Sequence, residues 1–236
     1  MITPSFALTA TERVLPRMAL NFTTASLDSR VTFTRTANSA TVTNSSGYVV
    51  PINANLPRFD YDPLTLACKG LLIEEPRTNL LLRSQEFENV VWTAARVSVV
   101  ADAIISPEGI VNAEKIVENT ATNTHFVLQT TTNGNATYTF SVYVKAAERS
   151  VAFVGMTDGV TALVGSYINL STGVLTTTGG GSWTGVTATS VNANNGWWRV
   201  LLTATRGAGT TTACQVNTVQ TSGVISYTGD GVSGIY

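Results

Sequence analysis

Thr137-Tyr-Thr-Phe-Ser-Val-Tyr-Val-Lys145 places Phe140, Val142 and Val144 two residues apart, so an extended chain presents all three on one face. A second such run is Trp197-Trp-Arg-Val-Leu-Leu-Thr-Ala-Thr205. Working outward, comparable short runs predict strands at 94–100, 114–117, 125–130, 150–156, 163–169, 183–190, 213–218 and 234–236. Turn chemistry separates them at Asn133-Gly134, Asp158-Gly159, Ser171-Thr-Gly173, Gly179-Gly-Gly181, Asn194-Asn-Gly196 and Ser222-Gly223. Short strands punctuated in this way imply a β-sandwich of jelly-roll type over residues 92–236. Its expected core includes Phe126, Phe140, Val142, Val144, Val154, Ile168 and Val200.

Composition agrees with an all-β chain. The 236 residues include 38 Thr, 27 Val and 10 Ile against 9 Glu and 3 Lys. β-Branched side chains lose χ1 freedom in helices and pack well on pleated sheets, which excludes a helical bundle. Charged residues make up 12% and the formal net charge is −1, so there is no basic field to attract nucleic acid or an anionic membrane. Only Arg199, Arg206 and Asp230 are charged after residue 158, and Thr, Ser, Asn and Gly take over that surface. Cys68 and Cys214 form no CxxC, and His125 is the single histidine, so neither a zinc-ligand set nor a metal site is expected. No apolar run reaches membrane-spanning length, and residues 1–20 lack the pattern of a signal peptide. A cytosolically made chain without membrane insertion is expected.

The first third reads differently. Arg30–Arg35 alternates with period two, and Ala40–Thr43 leads through Asn44-Ser-Ser-Gly47 into Tyr48-Val-Val50 as a hairpin. A second hairpin is expected from Arg58–Tyr61 through Asp62-Pro63 to Gly70–Glu74. Such ribbons have few large apolar residues and are marginal alone, so residues 1–79 are expected to form an arm organised by its neighbours. Thr78–Glu88 is the best helical segment, within a connector at 80–91.

Several of these motifs occur in order as a group: Leu27-Asp-Ser-Arg-Val-Thr-Phe-Thr-Arg35, Arg58-Phe-Asp-Tyr-Asp-Pro63, Gly70-Leu-Leu-Ile-Glu-Glu75 and Arg77-Thr-Asn-Leu80. Residues 14–92 thereby resemble a segment of tailed-bacteriophage virion proteins, the tail fibres and head fibres or spikes. The part after Trp92 is similar to the carbohydrate-binding-module-like jelly rolls that often follow it, through Ser166–Gly173 and Asn195-Gly-Trp-Trp-Arg-Val200. That resemblance implies a non-enzymatic virion component, a fibre, spike or decoration subunit. It also implies a homo-oligomer of trimeric type, docked to capsid or tail through the arm. The family pattern continues past Gly234-Ile-Tyr236 with a further strand.

Chemistry-bearing residues are sparse. A glycosidase needs two carboxylates across a cleft, but Asp60 and Asp62 lie in the arm among arginines, and the sandwich has few late acids. Arg35, Arg58, Asp60, Asp62 and Arg77 are therefore expected in docking or inter-chain ion pairs. His125 has no nucleophile motif beside it, so no catalytic residue is expected. Sugar rings stack on aromatic faces flanked by polar groups. Trp183, Trp197, Trp198, Tyr167 and Arg199 are accordingly the candidates for recognition of a host-surface glycan, the alternative function. No cofactor is expected beyond a structural calcium ion, whose candidates are Asp158-Gly159 and Asp230-Gly231, though neither builds an Asp-x-Asp-x-Asp loop.

Overall fold

Strands form where the β-branched runs lie, and their pairing produces two facing antiparallel layers. The computed structural model describes residues 20–36, 40–158, 163–207 and 209–236. Residues 1–19 of the arm and Gly159 of the Asp158 turn lie outside them. After a 3-10 turn at Phe22–Thr24, the arm holds β1 (Ala40–Thr43) paired with β2 (Val49–Ile52) and β3 (Phe59–Tyr61) paired with β4 (Cys68–Leu71). The sandwich follows with β5 (Thr93–Ala95), β6 (Val97–Ile105), β7 (Val111–Glu118), β8 (Thr122–Thr132), β9 (Thr137–Lys145) and β10 (Val151–Thr157). It is completed by β11 (Leu163–Asn169), β12 (Leu175–Thr178), β13 (Trp183–Asn192), β14 (Trp197–Arg206), β15 (Thr211–Val219), β16 (Ser226–Thr228) and β17 (Gly234–Ile235).

The back layer runs β12-β11-β10-β15-β8, with β5 pairing with β8 at Phe126–Leu128 and β16 pairing with it at Thr122–Thr124. The front layer consists of β13-β14-β9 and β17-β7-β6. These join at β17, because Lys145 N–H donates to the Tyr236 carbonyl at 2.7 Å and Tyr236 N–H returns a bond to Lys145 at 2.9 Å. Between the layers lies one apolar core, with Phe140, Val144, Val200, Leu202, Ile116 and Ile235 from the front and Val127, Val154, Met156, Ile168 and Val216 from the back. The chain is an all-β protein, an arm of hairpins followed by a sandwich.

Of the expected core, Phe140, Val144, Val154, Ile168 and Val200 are buried and Val142 packs against them. Phe126 is a correction, since it faces outward beneath the Arg96 guanidinium, 5.5 Å from its ring centroid. Alternation on β8 is inverted relative to hydrophobicity: His125, Val127 and Gln129 are the buried residues. Gln129 faces inward because it clamps the connector, accepting from Leu82 N–H at 2.6 Å and donating to the Leu82 carbonyl at 2.8 Å.

Two predicted elements are replaced by irregular chain. Arg30–Arg35 forms no strand. Asp28 turns the backbone there by accepting from Arg30 N–H at 2.9 Å, and Arg35 N–H donates to Asn55 Oδ1 at 3.1 Å, so side chains take bonds a ladder would need. Thr78–Glu88 forms turns rather than a helix, with Arg83 at φ +50°. Its backbone is drawn onto the sandwich end, where Phe87 N–H donates to Glu114 Oε2 and the Phe87 and Trp92 rings meet edge to face at 4.7 Å. These tertiary bonds outweigh a helix of two turns. The predicted strand 94–100 is likewise split at Arg96, whose φ is +57°.

Candidate docking surface

The arm is held by charge and turn chemistry more than by apolar packing. Asn44 accepts from Ser46 and Tyr48 N–H and so shapes the first turn, and Asp62 accepts from Leu64 and Thr65 N–H at 2.9 and 2.8 Å to shape the second. Those backbone bonds hold the Asp62 carboxyl below the usual carboxylate range. The two hairpins are tied together by Asp60, which pairs with Lys69 at 2.5 Å and accepts from Thr43 N–H at 3.1 Å. Arg58 reaches Glu74 at 2.6 Å and the Thr41 carbonyl at 3.3 Å, while Arg35 donates to the carbonyls of Ile52 and Asn53. Arg77 pairs with Glu75 at 2.7 Å on the open surface. All five expected docking residues therefore have partners within the arm.

The arm and the connector also leave large apolar side chains exposed. Leu56, Leu64, Leu66, Ile73, Leu80 and Leu82 are exposed, Ile73 by 80%. The arm meets the sandwich at the β6–β7 turn, where Val49 N–H donates to the Pro107 carbonyl at 2.9 Å and Tyr48 lies against Gly109. Gly109, at φ +82°, is needed there, because a Cβ would enter the Tyr48 ring.

The five aromatic and basic candidates do not share a platform. Trp183 is buried at one end of the core, and Trp198 packs inward with Nε1 donating to the Leu170 carbonyl at 2.9 Å. Trp197 lies on the other side of β14, 4% exposed, and donates to the Ile105 carbonyl at 3.1 Å. Tyr167 sits on the back layer against Phe153, ring centroids 4.8 Å apart. Arg199 is exposed, donates to Ser141 Oγ at 2.9 Å and lies over Tyr143.

Two carboxyl clusters escaped the sequence reading because their members are far apart in the chain. Glu118 is enclosed and receives the Arg149 guanidinium, the Tyr227 hydroxyl at 2.5 Å and Asp230 N–H at 3.0 Å. Burial raises its carboxyl, yet the Arg149 and Tyr227 bonds outweigh this and hold it below the ordinary value. Glu114 meets Glu88 and the Phe87 amide; burial first, then the neighbouring carboxyl, pushes it up to about 8. Asp230 is occupied by Ser233, Val232 and Arg149, and Asp158 accepts from Ser182 Oγ at 3.3 Å. Among the described residues no group of three or more His, Cys, Asp or Glu is placed to hold a metal ion. The thiols are far apart in role, Cys68 half-buried in the arm and Cys214 buried in the core with its thiol pushed up to about 12. No helix among them is long and apolar enough to cross a membrane.

Compared with known proteins, the chain matches no family model and no curated relative.

Proposed function

We propose that this chain is a non-enzymatic structural subunit of a bacteriophage virion, a fibre, spike or decoration protein that self-associates through its arm and carries the sandwich outward. The observation that supports this is the number of large apolar side chains left exposed between residues 56 and 82, Leu56, Leu64, Leu66, Ile73, Leu80 and Leu82. Exposed apolar surface can serve association, and hairpins of this length need a neighbour. The resemblance of residues 14–92 to virion proteins supplies the kind of assembly, with a homotrimer in the particle as the expected form. Light scattering on the purified chain and immunogold labelling of intact particles test the reading: an assembly larger than a monomer and antibody on the particle support it, whereas a stable monomer absent from particles overturns it.

A further inference from the structure

A cleft of about 320 Å³ lies between the arm and the outer face of β13-β14-β9. Alternation sets its floor. Val200 and Leu202 of β14 turn into the core, so Arg199 and Leu201 turn outward, and the ladder places Val191 of β13 and Tyr143 of β9 on either side of Arg199. Since β14 is paired along both edges, this floor is complete within the described strands. The arm contributes Thr41, Thr43, Asp60, Lys69, Leu72 and Glu74 to the lining. Its charges are matched, Lys69 with Asp60 at 2.5 Å and Glu74 with Arg58 at 2.6 Å. The floor's charge is not. Arg199 donates through Nε to Ser141 Oγ at 2.9 Å and lies 5.7 Å from the Tyr143 ring centroid, but among the described residues it forms no ion pair and its two Nη groups make no hydrogen bond. Its fork is thus held in place with no anion on it.

We propose that this cleft binds an acidic saccharide, with the sugar carboxylate on Arg199 and its hydroxyls on the arm. A guanidinium offers two parallel N–H donors, the arrangement a carboxylate accepts. The rest of the lining suits hydroxyls better than a second charge. Asp60 and Glu74 already face cations, so an incoming ammonium finds their charge matched, whereas a hydroxyl needs only a lone pair. Glu74 is exposed and bonds Arg58 through Oε2, which leaves Oε1 as such an acceptor. Leu72, Val191 and Leu201 supply the apolar contact that the C–H face of a sugar ring takes. The volume is at the small end of ligand sites, which run from about 300 to 1,000 Å³, and so suits one acidic residue rather than a long stretch of chain. Beyond the cleft the same sheet face continues through Ser141, Thr139, Thr203, Thr189 and Thr187, a hydroxyl-rich surface along which the next sugar residues would lie. The proposal does not rest on the virion reading and holds for this chain whatever it assembles with.

Titration calorimetry on the full chain tests this with trigalacturonate and sialyllactose, against maltotriose and lactose as their neutral counterparts. At least one acidic probe is expected to bind more tightly than its neutral counterpart by roughly tenfold or more, and to weaken as salt is raised. Arg199→Gln is expected to remove that preference, and Arg199→Lys to remove most of it, because the charge stays while the fork is lost. Val191→Trp fills the cleft from the neighbouring strand without altering the guanidinium and should weaken the same probe. Arg199 and Val191 are both exposed, so the melting temperature of each variant is expected to match the parent, which separates lost binding from lost folding. Equal affinity for acidic and neutral probes, no binding of either acidic probe at millimolar concentration, or an undiminished preference in Arg199→Gln would overturn the proposal.

Discussion

Glu118 shows how much a single side chain holds here, since it joins β7 to Arg149 before β10 and to Tyr227 and Asp230 near the C-terminal strand. Removing one partner of a buried pair leaves an uncompensated charge. Glu118→Ala is therefore expected to lower stability by about 3–5 kcal/mol, measured by urea denaturation. Glu114 behaves in the opposite sense. Its folded value, about 8, lies above the ordinary 4.5, so its contribution to stability is complete below the ordinary value and is lost as pH rises through about 8. The other shifted carboxyls, at Asp28, Asp62, Glu88, Glu118, Glu148 and Asp230, are lowered and do not titrate in that window. Melting temperature should fall between pH 6 and pH 9, and Glu114→Gln should flatten that slope; a slope unchanged in the variant would refute the assignment. Neither carboxyl was legible in the sequence, because Glu114 meets Phe87 and Glu88, and Glu118 meets Arg149 and Tyr227, only where the fold brings distant parts of the chain together.

At the level of elements, short runs bounded by turn residues were enough to find β9, β10, β11, β13, β14 and β15, although β10, β11 and β15 are buried on both faces and do not alternate. Period two failed at 30–35, where alternation exists but no neighbouring strand completes a ladder. On β8 it located the strand and assigned the wrong face, since Gln129 is needed inside and Phe126 finds Arg96 outside. Close approach between strands was equally silent. Phe153 on β10 lies across Gly155 and Gly165, whose missing side chains make room for its ring. Gly165→Ala would drive a methyl into that ring and the Val154 carbonyl oxygen, and is expected to cost about 1–3 kcal/mol with the fold retained. A melt equal to the parent would show that Phe153 moves aside freely.

For the molecule as a whole, two layers and an arm were legible from turn spacing and charge distribution, and of the candidate docking residues Arg58, Asp60 and Asp62 emerged as ion-pair and turn formers. Which surface the arm leaves open was not legible, because Leu64, Leu66 and Ile73 look like core residues in sequence and only their geometry exposes them. Replacing Leu64 and Ile73 together by Asp is expected to lower the associated fraction in light scattering while the melting temperature shifts by less than about 0.5 kcal/mol equivalent. A variant that associates as well as the parent would move the interface elsewhere. The position of β17 also sets a timetable for folding. Ile235 must reach Ile116, more than a hundred residues earlier in the chain, before the front layer is continuous. Pairings this distant are slow to nucleate, so a nascent chain leaving the ribosome can pair β13 with β14 and β9 early but cannot close the layer until residue 235 has emerged. Until then β7 and β9 present open edges to every neighbouring chain, and the interval vulnerable to misassembly is the one before residue 235 has emerged.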